Sequence, residues 1–161
     1  MDPFTLQPLA RVLNARTEPL DDDWDAIVSD VELADGIPSD CLAGLDAFSH
    51  VEIVFLFDRV RDDQIVWTAR HPRNNPAWPL VGMLAQRGKN RPNRLGVTVA
   101  ELVSLTGRVL TVRGLDAVDG TPVLDIKPVM REFLPRGEVR QPAWASELMR
   151  DYWVKSRRPV W

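Results

Sequence analysis

The stretch RVLTVRGLDAVDGTPVLDIKP, residues 108–128, decides the fold. Val109–Val112 is apolar and β-branched enough for a strand, Asp119-Gly120 supplies turn chemistry, and Pro122–Ile126 reads as the return strand of a hairpin. Upstream, HVEIVFLFD (50–58) is β-branched and aromatic almost throughout and too short for a long helix, which predicts a central strand buried on both faces. IVSDVELAD (27–35) sets Ile27, Ser29, Val31 and Leu33 against polar neighbours, a strand period. LQPLARVLNAR (6–16) suits a first strand near Leu9–Leu13, and Val81–Gln86 fits a further short one. VTVAELVSLTG (97–107) leads into the deciding stretch.

The connections are as legible as the strands. TEPLDDDWDA (17–26) is acidic and carries a proline, so it reads as an exposed loop. Gly36–Ser39 is a turn, from which Ser39 can cap a short helical turn through Cys41–Leu45. RHPRNNPAWPL (70–80) holds three prolines and two asparagines and is a loop. RGKNRPNRLG (87–96) is another, with four basic side chains in its first eight positions. Pro142 opens AWASELMRDYWV, where Trp144, Leu148, Met149 and Tyr152 fall at helical spacing. The expectation is a mostly β fold: a small, partly open β-barrel over residues 1–128, and a C-terminal extension, 129–161, whose amphipathic helix packs on the same domain.

Composition narrows the function classes. At 161 residues one domain is expected, and 45% hydrophobic with 27% charged residues is the balance of a globular protein. No apolar run approaches the roughly 20 residues of a membrane helix. MDPFTLQPLA lacks the basic start and apolar stretch of a secretory signal. One cysteine, Cys41, excludes an internal disulfide and a thiolate zinc cluster, and two histidines, His50 and His71, make a poor metal set. The expectation is a cytoplasmic domain with no metal and no membrane contact. Charge is divided: residues 1–60 hold 3 Lys+Arg against 13 Asp+Glu, net −10, and residues 61–161 hold 17 against 10, net +7. A basic face is either simply solvated or the footprint of phosphate binding.

Three loops concentrate chemistry: Phe48-Ser49-His50, Arg70-His71-Pro72-Arg73, and Arg87 through Arg94. None carries G-x-S-x-G, a phosphate-cradling P-loop or G-x-G-x-x-G. A triad of Ser49, His50 and Asp46 is disfavoured, since adjacent side chains on a strand point apart. Asp116 and Asp119 read as turn residues beside Gly120. Asp125 sits within an apolar strand next to Lys127, and a carboxylate there must be ion-paired or face a site.

GLDAFSHVEIVFLF (44–57), RHPR (70–73), RGKNRPNRLG (87–96) and GRVLTVRGLDAVDGTPVLDIKP (107–128) together resemble the TsaA-like, TrmO-type family. The likeness runs over roughly residues 7–128 and keeps the order and spacing of four segments. It implies a small β-barrel that binds S-adenosyl-L-methionine, works as a homodimer with its pocket near the subunit interface, and methylates the exocyclic amine of threonylcarbamoyl-adenosine beside the tRNA anticodon. The family's R-x-x-x-R-P-N loop maps onto Arg87, Arg91, Pro92 and Asn93, and its D-G-T-P-x-x-D-I-K-P segment onto Asp119, Gly120, Thr121, Pro122, Asp125, Ile126, Lys127 and Pro128. The cofactor contacts so implied are Arg87, Arg91, Pro92, Asn93, Leu95, His71, Asp119, Thr121 and Lys127. An amine acceptor needs a proton acceptor, for which Asp125 and His50 are the candidates.

The sequence departs from the family pattern in places. Arg87-Gly88-Lys89 stands where members read R-S-P, Arg94-Leu95-Gly96 stands where they read P-I-G, and RTEPLDDDWDA replaces an early P-R-Q stretch. One small cofactor needs one or two cations, so Lys89 and Arg94 are expected to meet phosphate, most simply that of the anticodon stem-loop, unless the loop pairs with the acidic 21–25 segment. A small-molecule methyltransferase and a non-catalytic cofactor-binding module remain as alternatives on the same scaffold.

Overall fold

The computed structural model describes residues 2 and 4–153. Eight strands occur among them: β1 (Ala10–Leu13), β2 (Val28–Leu33), β3 (His50–Leu56), β4 (Ala69–Arg70), β5 (Val81–Gly82), β6 (Leu95–Thr106), β7 (Val109–Arg113) and β8 (Pro122–Pro128). A single short helix, α1 (Ala143–Leu148), follows. Six strands close a ring in the order β1-β2-β7-β6-β3-β8, every pairing antiparallel. The partly open barrel expected is thus closed, by two register pairs between β1 and β8, Ala10 with Val123 and Arg11 with Pro122.

A small barrel has one inside, and side chains fill it. Every second residue therefore turns inward: Val51, Ile53 and Phe55 from β3, Leu110 and Val112 from β7, each at most 1% exposed. This corrects the reading of β3 as buried on both faces, for its alternate residues Glu52, Val54 and Leu56 are only half-buried. The near-continuous apolar run reflects an outer face that neighbouring chain partly covers.

The deciding stretch folds differently from the hairpin expected of it. β7 pairs with β2 and β6, and β8 pairs with β1 and β3, so the two strands never meet. The intervening residues, 114–121, carry Leu115, Ala117 and Val118, all buried. Such a segment is too long and too apolar for a tight hairpin turn, and Leu115 and Ala117 join the core. The Asp119-Gly120 turn is present, with Gly120 at φ 83°. It is tied to β1 instead: the Gly120 amide donates to Val12 O at 2.8 Å and the Asp119 amide to Arg16 O at 2.8 Å. β7's true hairpin partner is β6, the twelve-residue strand before it.

Smaller differences follow from local chemistry. Val81–Gln86 keeps only two strand residues before a single 3-10 turn at Met83–Ala85. The turn at Ser39–Leu42 begins on Pro38 and has no side-chain cap, so Ser39 does not cap it. α1 ends at Leu148, and Tyr152 lies in the turns beyond it rather than on the helix. Val154, at the end of the expected helix, and residues 155–161 of the extension lie outside the described residues. Trp144, Leu148, Met149 and Tyr152 are half-buried against their own chain.

Candidate active site

A cleft of about 380 Å³ opens where β3 leaves the barrel and β6 enters it, a size suited to a small organic ligand. Three segments form its wall. Phe55 and Phe57 come from β3 and the residue just after it; Leu84, Gln86, Arg87, Arg91, Pro92 and Asn93 come from the loop before β6, and Leu95, Gly96 and Val97 from the start of β6; Asp116 comes from the β7–β8 connection. Phe55 and Gly96 are cross-strand partners, and the absence of a Cβ at Gly96 lets the Phe55 ring lie over its backbone. Phe57 then meets Phe55 edge-on, ring centroids 5.3 Å apart.

The basic loop is held by its own arginines. Arg87 donates to Val97 O, Arg91 to Gln86 O at 3.1 Å, and Arg94 to Val60 O at 2.8 Å. Arg94 takes a left-handed backbone, φ 53°, and its guanidinium also reaches Asp62 at 3.1 Å. Lys89 is exposed, and among the described residues no ion pair involves it. The acidic 21–25 segment pairs with a different loop: Arg73 meets Asp22 at 2.7 Å and Asp21 at 3.7 Å. Partial burial would lower the Arg73 pKa, but the hydrogen bond and charge of Asp22, then Asp21, outweigh it and hold it above its ordinary value.

The sequence alone marks Asp116 as a turn residue; in the structure it is the carboxylate of the cleft. Thr98, itself buried, donates its hydroxyl to one carboxylate oxygen, and the Tyr152 phenol donates to the other. Tyr152 reaches this position because its carbonyl accepts from the Trp24 amide at 3.0 Å, while the Asp151 carbonyl accepts from the Asp23 amide at 3.2 Å. A further tie joins Glu147 to the indole N–H of Trp78 at 2.8 Å. Burial first, then the adjacent Asp116 charge and hydrogen bond, raise the Tyr152 phenol well above the ordinary tyrosine range, although Arg87 and Arg73 pull the other way. At neutral pH it is a donor. No sequence pattern linked Asp116 to Tyr152; a tyrosine that is the chain's only one was the available signal.

The structure gathers Arg87, Arg91, Pro92, Asn93 and Leu95 on the cleft and places the other expected site residues elsewhere. His71 bonds through Nδ1 to Trp78 O at 2.7 Å and orders its own loop. Asp119 accepts from the Asn14 amide at 3.1 Å, and Thr121 is buried beside it. Asp125 forms an ion pair with Lys127, and both side chains are about half exposed, 44% and 56%. A register shift opposite Val54/Phe55 explains this: Val54 pairs with Asp125 and Phe55 with Val123, so Leu124 is a bulge that turns Ile126 inward and Asp125 outward. His50 opens β3 opposite Glu101, four residues or roughly 13 Å along the strand from the Asp125 pair. Ser49 Oγ does meet His50 Nδ1, at 2.9 Å, contrary to the expectation that they point apart, because Ser49 precedes the strand. Among the described residues no cluster of three His, Cys, Asp or Glu side chains could hold a metal, and no helix is long and apolar enough to cross a membrane.

Comparison with known proteins places this geometry. The human protein named tRNA (adenine(37)-N6)-methyltransferase is 37% identical over 105 residues, 65% of this chain and 23% of its own length. A probable S-adenosyl-L-methionine-binding protein of Archaeoglobus fulgidus is 39% identical over 89 residues, 55% of this chain and 23% of its own. The chain therefore spans about a quarter of the length of these relatives. The crystal structure of TrmO from Pseudomonas aeruginosa superposes with a TM-score of 0.72 at 25% identity, covering 89% of this chain and 62% of that one. Residues 19–133 match the sequence model described as the tRNA-methyltransferase O N-terminal domain, a span that includes every barrel strand but β1 and every cleft residue, and the chain belongs to that family.

Proposed function

We propose that this chain is an S-adenosyl-L-methionine-dependent methyltransferase acting in the cytoplasm on the exocyclic amine of adenosine 37 of tRNA, in its threonylcarbamoyl form. The observation that carries the reading is the convergence of Arg87, Arg91, Pro92 and Asn93 with two phenylalanines and Asp116 on one cleft. The human relative's name states the tRNA reaction, and the archaeal relative's name states the cofactor.

The residues present fit the cofactor by their chemistry. S-adenosylmethionine supplies a methyl group on a sulfonium, and its methionine end is a zwitterion. Arg87 and Arg91 offer forked donors for a carboxylate, Phe55 and Phe57 an apolar face, and Asp116 a negative charge. The close approach of the Phe55 ring to Gly96 shapes that wall. What the protein contributes is orientation, which can supply up to about 7–11 kcal/mol of a barrier, and exclusion of water by the aromatic wall. Of the two candidates for the proton acceptor, His50 and Asp125, neither lines the cleft of one protomer, so on this reading either would act there from a second copy of the chain.

A homodimer is accordingly part of the reading. Apolar surface supports it: Phe133 is 85% exposed, Leu84 79%, Trp67 77% and Val139 68%. Lys89 and Arg94 are assigned to the phosphates of the anticodon stem-loop, with Asp62 competing for Arg94.

Incubation with methyl-labelled S-adenosylmethionine and bulk tRNA, followed by nucleoside analysis, tests the reading. Label in N6-methylated adenosine derivatives is expected. Label appearing only when a metabolite extract replaces tRNA assigns a small-molecule acceptor, and no label from either leaves a binding module.

A further inference from the structure

Asp116 is the one carboxylate on a cleft wall that otherwise carries two arginines. Its partners are unusual for a half-buried charge. Thr98 and Tyr152 are both neutral hydroxyl donors, one to each oxygen, and among the described residues no ion pair involves Asp116. A carboxylate has about four acceptor positions. Two donors therefore leave a lone pair on each oxygen, and a half-buried charge held only by neutral groups gains from a cation. The neighbouring wall is aromatic, Phe55 against Phe57, and aromatic faces favour organic cations.

Tyr152 comes from outside the segment that matches the family model, which ends at 133. It is nevertheless fixed from several sides: the Trp24 amide donates to its carbonyl and the Asp23 amide to that of neighbouring Asp151, the Glu147–Trp78 bond lies upstream, and Trp153 meets its ring edge-on at 5.1 Å. Its phenol stays protonated at neutral pH, so it donates steadily and fixes the carboxylate's rotamer together with Thr98.

We propose that Asp116 is the cation acceptor of the cleft, holding the sulfonium or ammonium centre of a zwitterionic ligand whose carboxylate meets Arg87 or Arg91, and that Tyr152, carried back by the C-terminal extension, is the positioning residue that aims it. The assignment rests on the reading of the cleft as the methyl-donor site.

Calorimetric titration of the full chain tests it, with S-adenosylmethionine and with S-adenosylhomocysteine, which keeps the ammonium and lacks the sulfonium. Asp116→Asn is expected to weaken S-adenosylmethionine binding at least tenfold. An equal loss for S-adenosylhomocysteine identifies the ammonium as the group held, and a smaller one identifies the sulfonium. Tyr152→Phe is expected to weaken binding three- to tenfold, and the double variant should bind no more weakly than Asp116→Asn alone, because Tyr152 acts through Asp116. If Asp116→Asn fails to melt cooperatively, Asp116→Ser carries the same test. A folded Asp116 variant with wild-type affinity overturns the acceptor role, and additive losses in the double variant overturn the positioning role. Wild-type chain that binds no S-adenosylmethionine overturns the methyl-donor reading and this assignment with it.

Discussion

A Cβ placed on Gly96 would stand 2.3 Å from Cε2 of Phe55. No real Cβ contact is that short, so the Phe55 ring occupies the space a side chain at 96 would need. Phe55 is 1% exposed and wedged in the barrel, and it has little room to retreat. Gly96→Ala is expected to destabilise the fold by about 1–3 kcal/mol, the usual cost of overpacking, and to weaken cofactor binding as the ring moves into the cleft. Thermal melts of Gly96→Ala and of Gly96→Ala with Phe55→Leu check this: the smaller ring-free side chain should recover part of the loss.

The Tyr152 phenol predicts a specific alkaline behaviour. Its folded-state pKa is raised above the unfolded value near 10.0, by burial first and then by Asp116. A raised pKa means that the folded state holds the proton more tightly. The associated stability is complete below pH 10 and is lost as pH rises through the folded value. Tyr152 is the only tyrosine, so absorbance near the phenolate band reports it alone. Phenolate is expected to appear only with unfolding in the wild type, and at lower pH in Asp116→Asn. Tyr152→Phe should show a flatter decline of stability above pH 10.

The Arg73–Asp22 pair joins the acidic segment to the 70–80 loop. Both groups remain partly exposed, so the coupling from a double-mutant cycle with Arg73→Ala and Asp22→Ala should be modest, about 0.2–1 kcal/mol, and should shrink with added salt. A coupling that does not respond to salt contradicts the ion-pair account.

On the proposed tRNA reading, Lys89→Ala with Arg94→Ala should weaken tRNA binding and flatten its salt dependence by about one to two units of slope. Cofactor affinity should hardly change. Arg91→Ala should do the reverse, because Arg91 lines the cleft. Since Arg94 also holds Val60 O and Asp62, the single variant Lys89→Ala should give the cleaner phosphate effect.

Local signals in the sequence locate β1, β2, β3, β7 and β8 and the loop that carries Arg87, Arg91, Pro92 and Asn93, but they assign no element to 97–107, the body of β6. Pairing was harder to read. Asp119-Gly120 is good turn chemistry, but whether a turn joins paired strands depends on where buried Leu115 and Ala117 go, and they go into the core. Strict alternation from buried Val123 would turn Asp125 inward, but one bulged residue at Leu124 turns it outward to pair with Lys127. Asp116 was legible only as a turn aspartate. Its role depends on Thr98 and Tyr152, 18 and 36 residues away, which no period or motif brings together.

A crystal structure of the chain with S-adenosylmethionine bound would show whether the cleft between the 87–97 segment and Asp116 is the methyl-donor site. Ligand density is expected in that cleft, against Phe55, Asn93 and Asp116, with an arginine of the basic loop on the methionine carboxylate. Density elsewhere on the chain, with the cleft left to solvent, would contradict that assignment.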